Sequence, residues 1–67
     1  MNQQEFKQQF MPFHRMLYRV AFELTGNTQD AEDLLQDTYL RIWQKREVLV
    51  QNGVNEAYLI IMMRHLY

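Results

Sequence analysis

Residues 24–43 read LTGNTQDAEDLLQDTYLRIW, and this stretch combines a helix end, a helix start and an amphipathic helix. Gly26 suits the left-handed position that follows a helix, because it has no Cβ. Asn27 or Thr28 can then cap the next helix, since either side chain accepts a hydrogen bond from a backbone N–H of the first turn. The stretch therefore predicts two helices joined by a tight reversal.

The helix that begins here is predicted to run to about Arg46, with one buried and one polar face. Acidic residues are concentrated in its first half and basic residues in its last turns. This order complements the helix dipole and stabilises the helix by roughly 0.3–1 kcal/mol per well-placed charge. The predicted buried stripe contains Ala31, Leu35, Thr38, Ile42 and Trp43. A different face carries Asp33, Gln36, Asp37 and Leu40 as neighbours.

A first helical segment, from about Gln3 to Leu24, precedes the reversal and has apolar residues at steps of three and four. Pro12 lies inside it and should kink the helix or begin a second one, because its ring clashes with the preceding turn and it lacks an N–H.

A third helical segment starts near Asn55, a predicted N-cap, and runs to the end of the chain. A connection over residues 47–54 precedes it, with Asn52-Gly53 as the turn signal. Residues 58–63 are apolar on every side of the helix, which is typical of a helix covered all round. We therefore expect part of this surface to meet further sequence or a partner.

These segments predict an all-α fold, a compact antiparallel three-helix bundle with the first helix kinked near Pro12. The predicted core consists of Phe10, Phe13, Leu17, Ala21, Leu24, Leu35, Ile42, Trp43, Tyr58, Leu59 and Met62.

The composition limits the class of protein. A chain of 67 residues makes one domain at most, and it has no cysteine for a disulfide or a thiolate metal site. The formal net charge of −1 is low for a self-sufficient nucleic-acid binder. His14 and His65 are far apart and have no carboxylates at ligand spacing, so we expect no metal, no cofactor and no enzymatic activity. No signal peptide or membrane insertion is expected.

Together these motifs resemble region 2 of the extracytoplasmic-function (ECF) sigma factors of bacterial RNA polymerase. The matching runs are FMPFHRMLYRVA at 10–21, LTGN at 24–27, DAEDL at 30–34, Gln36-Asp37, Ile42-Trp43, Lys45-Arg46 and NEAYL at 55–59. The resemblance covers most of the chain. It implies that residues 1–67 are a fragment holding the sigma region 2 domain without the C-terminal region 4 domain, and that the protein is a bacterial, cytoplasmic transcription initiation factor.

The resemblance implies that the acidic helix docks on the clamp of the RNA polymerase β′ subunit. The residues assigned to that contact are Glu32, Asp33, Gln36, Asp37, Leu40 and Arg41. Complementary charge sets the register and association rate of such docking. The alternative is a solvated helix face, the usual state of charged residues.

The resemblance also implies a role in recognition and melting of the promoter minus-ten element. In the family, a flipped base of the non-template strand enters a pocket near the loop before the third helix, and such capture requires polar groups and packing. The candidate DNA-binding residues are Asn52, Asn55, Arg64 and His65. His65 stands where the family commonly has Asn, so a helix-surface role without DNA contact is the alternative for it.

Two partner hypotheses remain open. As a sigma factor, the protein would bind RNA polymerase core and promoter DNA, and an anti-sigma factor would control it. As a sigma-like helical interaction module, it would bind a regulator without promoter activity. A basic helical continuation and a helix-turn-helix beyond Tyr67 would favour the first hypothesis. Any homodimer is expected to be an artefact of the exposed last helix.

We predict that these 67 residues alone bind duplex DNA poorly, because a net charge of −1 provides no broad basic surface for phosphates. An electrophoretic mobility shift assay at several salt concentrations checks this. Tight, salt-sensitive binding of duplex DNA would refute it.

Overall fold

The computed structural model describes all 67 residues and contains helices and no strand. The helices are α1 (Gln3–Phe10), α2 (His14–Thr25), α3 (Thr28–Gln44), α4 (Arg46–Gln51) and α5 (Glu56–Leu66), and a 3-10 turn over Met11–Phe13 joins α1 to α2. The predicted all-α class is confirmed. No helix combines the length and the apolar character needed to cross a membrane.

The chain forms five α-helices where three were predicted, because two segments are divided differently. Pro12 lies in the 3-10 turn, and a new helix starts at His14, so α1 and α2 replace one long kinked helix. The connection over residues 47–54 was expected to lack a helix, but Arg46–Gln51 form α4. Its single buried residue, Leu49, gives this short helix an apolar contact with the core.

The reversal between α2 and α3 has the predicted geometry. Gly26 has a φ of 81°, and its N–H donates to the carbonyl oxygen of Phe22 at 2.8 Å. Asn27, rather than Thr28, is the N-cap of α3: its Oδ1 accepts from the N–H of Asp30 at 2.8 Å. Asn27 Nδ2 also donates to the Asp30 carboxylate at 2.8 Å. The bonds made by the N–H groups of Gly26 and Asp30 satisfy backbone groups that helix ends otherwise leave unpaired.

The core lies between α2, α3 and α5, with Phe10 contributed by α1 and Leu49 by α4. The buried apolar residues are Phe10, Leu17, Ala21, Ala31, Leu34, Leu35, Ile42, Leu49, Leu59, Met62 and Met63. The buried stripe of α3 is confirmed for all its members except Trp43, and buried Thr38 donates its hydroxyl to the Leu34 carbonyl at 2.7 Å.

Four predicted core residues are not buried. Phe13, Leu24 and Trp43 are half-buried, and Tyr58 is exposed. The apolar residues of α5 differ in burial because only one side of that helix meets α2 and α3, and Met63, which the predicted core did not include, is buried. A pattern that is apolar on every side does not reveal which side packs inward.

Trp43 lies at the surface within a cluster of aromatic and cationic side chains. The Phe6 ring meets Trp43 edge-on at 5.1 Å between centroids and lies 4.8 Å from the Phe10 ring. The guanidinium carbon of Arg46 also stands 4.0 Å from the Trp43 ring centroid, and Nη1 donates to the Trp43 carbonyl oxygen at 2.6 Å. Arg46 thereby fixes the junction between α3 and α4.

We predict that Gly26→Ala lowers the free energy of unfolding by about 1–2 kcal/mol, because an L side chain is strained at positive φ. No heavy atom lies within 4 Å of a Cβ built at this position, so the loss reflects backbone strain and no clash. Urea denaturation measures it. Gly26→Asn is the control and should lose less, because Asn tolerates the left-handed region. Equal stability of the Ala variant and the unaltered chain would contradict the prediction.

Candidate functional site

The exposed side of α3 carries an acidic face, defined as Asp33, Gln36, Asp37 and Leu40. At about 100° per residue these four side chains fall within an arc of roughly 100°, opposite the buried stripe. Glu32 and Arg41 flank the face on either side and are also exposed. The structure therefore brings together the residues that the sequence assigned to polymerase contact.

The side chains of the acidic face are available to a partner. None of them takes part in the side-chain hydrogen bonds of the chain. Leu40 is 58% exposed, which leaves a large apolar side chain among carboxylates and an amide. A face of this kind suits a partner that offers basic side chains around an apolar contact.

An apolar groove of about 540 Å³ lies beside the acidic face, between α1 and α3. Its lining residues are Gln3, Phe6, Lys7, Met11, Tyr39, Leu40 and Trp43. Burial raises the pKa of the Tyr39 phenol above its ordinary value of 10.0, so the hydroxyl stays neutral near pH 7. That hydroxyl lies 3.0 Å from Nδ1 of His14, and the two rings stack at 5.9 Å between centroids. His14 thus contributes a packing and hydrogen-bonding contact between α2 and α3.

A second concavity, the loop cavity, lies where α4 turns into α5 and has a volume of about 320 Å³. It is lined by Lys45, Val48, Leu49, Asn52, Gly53, Asn55 and Tyr58. Two of the four predicted DNA-binding residues, Asn52 and Asn55, are therefore brought together in one cavity. Apolar and aromatic side chains complete its walls, and Gly53 makes the turn with a φ of 82°.

The side-chain amide of Asn55 has a fixed orientation in the loop cavity. As the N-cap of α5, its Oδ1 accepts from the N–H of Ala57 at 2.8 Å and from that of Tyr58 at 3.3 Å. These two donors determine which amide atom is oxygen. The Nδ2 group has no hydrogen-bond partner within the chain, so Asn55 is left as a donor, whereas Asn52 keeps both donor and acceptor capacity.

The other two candidate DNA-binding residues lie outside the loop cavity. His65 lines the inter-helix cleft, a concavity of about 320 Å³ that α3 and α5 form together. Its lining residues are Arg41, Lys45, Tyr58, Met62, His65 and Leu66. Arg64 is exposed but lines neither this cleft nor the loop cavity.

Lys45 and Tyr58 are the site residues that the sequence interpretation missed. Both line the loop cavity and the inter-helix cleft, so they form the boundary between the two. Tyr58 is 45% exposed. Its position three residues after the N-cap Asn55 was a usable signal, because that spacing puts both on one side of the helix. Lys45 gave no such signal, since the turn between α3 and α4 was not foreseen.

No group of three or more His, Cys, Asp or Glu side chains is placed to hold a metal ion. The acidic face and the loop cavity lie at different parts of α3 and its C-terminal continuation, so one molecule can present both to separate partners.

Several known proteins are similar to this chain in sequence. The sequence model of sigma-70 region 2 matches residues 10–67. The chain is 50% identical to the ECF RNA polymerase sigma factor SigL of Mycobacterium tuberculosis over 34 residues, which are 51% of this chain and 19% of that protein. It is 50% identical to SigE of Mycolicibacterium smegmatis over 28 residues, 42% of this chain and 11% of that protein.

A third relative is the ECF sigma factor SigG of Mycobacterium tuberculosis, 44% identical over 36 residues, which are 54% of this chain and 10% of that protein. The chain thus aligns with about a fifth or less of the length of these curated relatives. No solved structure matches it significantly. The family match covers well over half of the chain and includes α2, α3, α4 and α5, and the chain therefore belongs to the sigma-70 region 2 family, as a region 2 domain of the ECF sigma factor type.

Proposed function

We propose that this domain acts in transcription initiation in the bacterial cytoplasm, by docking on the clamp of the RNA polymerase β′ subunit through the acidic face of α3. The exposed acidic face carries this proposal, because its side chains have no structural duty within the chain. A helix face that is needed only for solubility does not require two carboxylates, an amide and an exposed leucine at adjacent positions.

Rigidity of α3 supports the same proposal. Its N-terminus is capped by Asn27, its opposite side is buried against the core, and Arg46 fixes its C-terminal junction. A partner that binds a preorganised helix loses little conformational entropy on that side of the interface. More of the favourable free energy of the docking contacts therefore remains as binding free energy.

Residues at the edge of the face have different expected roles. Leu40 stands between the apolar groove and the polar positions, so we infer that it adds apolar contact area to the interface. Glu32 lies on the side of the face away from Arg41, so we infer that it adds charge at the rim, where an ion pair contributes little affinity.

We further propose that the loop cavity captures an unstacked base of the minus-ten non-template strand. Its size, its apolar and aromatic walls and its two amide side chains provide the packing and hydrogen bonds that base capture requires. Asn52 and Asn55 would contact the base edge, and Tyr58 would contact a base face. We also propose that the whole protein binds polymerase core, promoter DNA and an anti-sigma factor.

We predict that Asp33→Ala and Gln36→Ala each weaken binding to RNA polymerase core by about 30-fold, which corresponds to about 2 kcal/mol for a contact at the centre of an interface. Surface plasmon resonance with immobilised core measures the dissociation constant. Circular dichroism should be unchanged, because Ala favours helix and both side chains are exposed.

Glu23→Ala is the matched control for this experiment. It removes one exposed carboxylate from α2, outside the acidic face, and so changes the net charge by the same amount as Asp33→Ala, while Gln36→Ala leaves the charge unchanged. Its affinity for core should stay close to that of the unaltered chain. If both α3 variants bind as tightly as this control, polymerase docking through the acidic face is wrong.

We predict that Asn55→Asp reduces binding of short single-stranded DNA to the complex of this chain with polymerase core, with no loss of thermal stability. Asp caps a helix as well as Asn but has no amide donor, so the variant separates capping from base contact. Fluorescence anisotropy with labelled oligonucleotides that differ at one base measures both affinity and base preference.

Asn2→Asp provides the control, because Asn2 is the N-cap of α1 and makes the same kind of bond with the N–H of Glu5 at 2.8 Å. This variant should leave oligonucleotide binding unchanged. Asn55→Ala should lose the donor and also about 1 kcal/mol of stability. Unchanged base preference in Asn55→Asp would exclude the amide from base recognition.

A further inference from the structure

The α1 helix is held on the rest of the domain by few side chains. Phe10 is its only buried residue and Phe6 is half-buried, whereas its polar residues are exposed. A helix of eight residues is marginal in water without tertiary contacts. The apolar groove lies between α1 and α3, so α1 does not cover the facing side of α3 completely. The position of α1 therefore depends mainly on these two phenylalanines.

Phe6 connects α1 to Trp43, near the end of α3. The Phe6 ring meets the Trp43 ring edge-on at 5.1 Å between centroids, and it meets the Tyr39 ring edge-on at 6.5 Å. Trp43 is half-buried and lines the apolar groove together with Phe6. Edge-to-face contact is a favoured geometry of aromatic pairs, so Phe6 helps to fix the orientation of the Trp43 ring.

Trp43 in turn holds Arg46, the first residue of α4. The guanidinium carbon lies 4.0 Å from the Trp43 ring centroid, and Nη1 donates to the Trp43 carbonyl oxygen at 2.6 Å. Nε of Arg46 is buried and has no hydrogen-bond partner. Both contacts of this guanidinium are thus made with one residue, and the ring of that residue is the part that Phe6 touches.

The α4 helix has few other anchors, and it forms one wall of the loop cavity. No side chain caps its N-terminus, and Leu49 is its only buried residue. Val48, Leu49 and the C-cap Asn52 line the loop cavity, as does Lys45, which precedes Arg46. A displacement of Arg46 would therefore move a wall of this cavity.

We propose that Arg46 is a positioning residue for the loop cavity, and that α1 acts on the cavity through contacts that run from Phe6 to Trp43 and from Trp43 to Arg46. When α1 is in place, the Trp43 ring is fixed and Arg46 holds the start of α4. When α1 moves away, the ring loses its edge contact, and Leu49 becomes the main anchor of α4. The consequence for a captured base rests on the proposed function of the loop cavity.

The joint between α1 and α2 permits such a movement. Met11–Phe13 form a 3-10 turn that contains Pro12, so α1 and α2 are not one continuous α-helix. Proline has no N–H, and the turn therefore lacks one backbone donor that could join the two helices. A small change in the angle of α1 at this turn would separate Phe6 from Trp43 while α2 stays packed on α3.

Amide hydrogen exchange of the 67-residue chain, followed by NMR, tests the coupling without DNA. The N–H groups of Leu49 and Asn52 donate to the carbonyl oxygens of Lys45 and Val48 within and beside α4. Phe6→Ala should accelerate exchange of these two amides about fivefold, as expected for loss of one aromatic pair that supports the helix.

Fluorescence reports the position of α1 in the same samples, because Trp43 is the only tryptophan of the chain. Phe6→Ala should shift its emission to longer wavelength and increase its quenching by acrylamide. Phe22→Ala is the matched control, because it removes a phenyl group that is 42% exposed on α2. The control should change neither the fluorescence nor the exchange of α4.

Exchange in α2 and α3 is the internal reference for this experiment. It should stay close to that of the unaltered chain in Phe6→Ala. Equal acceleration throughout α2, α3 and α4 would mean that the variant promotes unfolding of the whole chain, and it would overturn the coupling. Unchanged exchange in α4 would overturn it as well, whatever the fluorescence shows.

Combined variants test Arg46 as the link. Arg46→Gln should itself accelerate exchange in α4, and adding Phe6→Ala should then have little further effect, because the series of contacts is already broken. Arg46→Lys keeps a cation for the Trp43 ring and should restore part of the response to Phe6→Ala. Fully additive effects of Phe6→Ala and Arg46→Gln would overturn the assignment of Arg46.

Failure of the coupling and failure of base capture are distinguishable. At saturating polymerase core, Phe6→Ala should weaken binding of a labelled single-stranded oligonucleotide about fivefold, in step with α4 exchange. Faster α4 exchange with unchanged oligonucleotide binding would support the coupling and contradict base capture in the loop cavity. Weaker oligonucleotide binding with unchanged α4 exchange would overturn the coupling and leave base capture intact.

Discussion

The close packing of α2 on α3 is the constraint on which the rest of the structure depends. Leu17 and Ala21 of α2 and Ala31 and Ile42 of α3 have no exposed surface, and the tight reversal at Gly26 brings the two helices together. Once α3 is fixed on this side, its opposite side must face outward, because the helix has a single axis. The exposure of the acidic residues thus follows from the burial of alanine, leucine and isoleucine, and both faces are encoded within one run of 17 residues.

The same helix links the two proposed functions. Its middle turns carry the acidic face, while Arg41 in its last turn and Lys45 at its C-cap line the inter-helix cleft. Acidic and basic residues are therefore separated along α3, in the order that also complements its dipole. A protein partner with basic side chains and a nucleic-acid strand can bind at different positions without competing for the same charge. A low net charge is compatible with strand binding in this arrangement, because the charge is distributed unevenly.

Local signals allowed much of the fold to be predicted. Rules for helix ends that involve three or four residues predicted Gly26 and Asn55 and left Asn27 or Thr28 as the cap of α3, and Gly26, Asn27 and Asn55 have the expected geometry. The division of α3 into buried and exposed sides was predicted from its period, and the family was identified from motifs along α2 and α3.

The predictions failed where the outcome depends on distant residues. Leu49 of α4 is buried, and Tyr58 is exposed although its helix is apolar on every side. Both outcomes depend on tertiary packing, which a local sequence pattern does not reveal. The cavities shared by α3, α4 and α5 could not be predicted from the sequence for the same reason.

The double duty of Asn55 restricts how a site like this can diverge. Its Oδ1 caps the N-terminus of α5, and the same side chain lines the loop cavity. One residue therefore determines both the start of the helix and the chemistry of the cavity wall. Only the few residue types that begin helices well are tolerated there: Asn, Asp, Ser, Thr and Gly. Each offers the cavity a different group, namely an amide, a carboxylate, a hydroxyl or nothing. Few side-chain groups are therefore possible at position 55. New ligand preferences have to come mainly from Asn52 and the turn around Gly53, because Asn52 caps the end of α4 through its backbone N–H and its side chain is free to change.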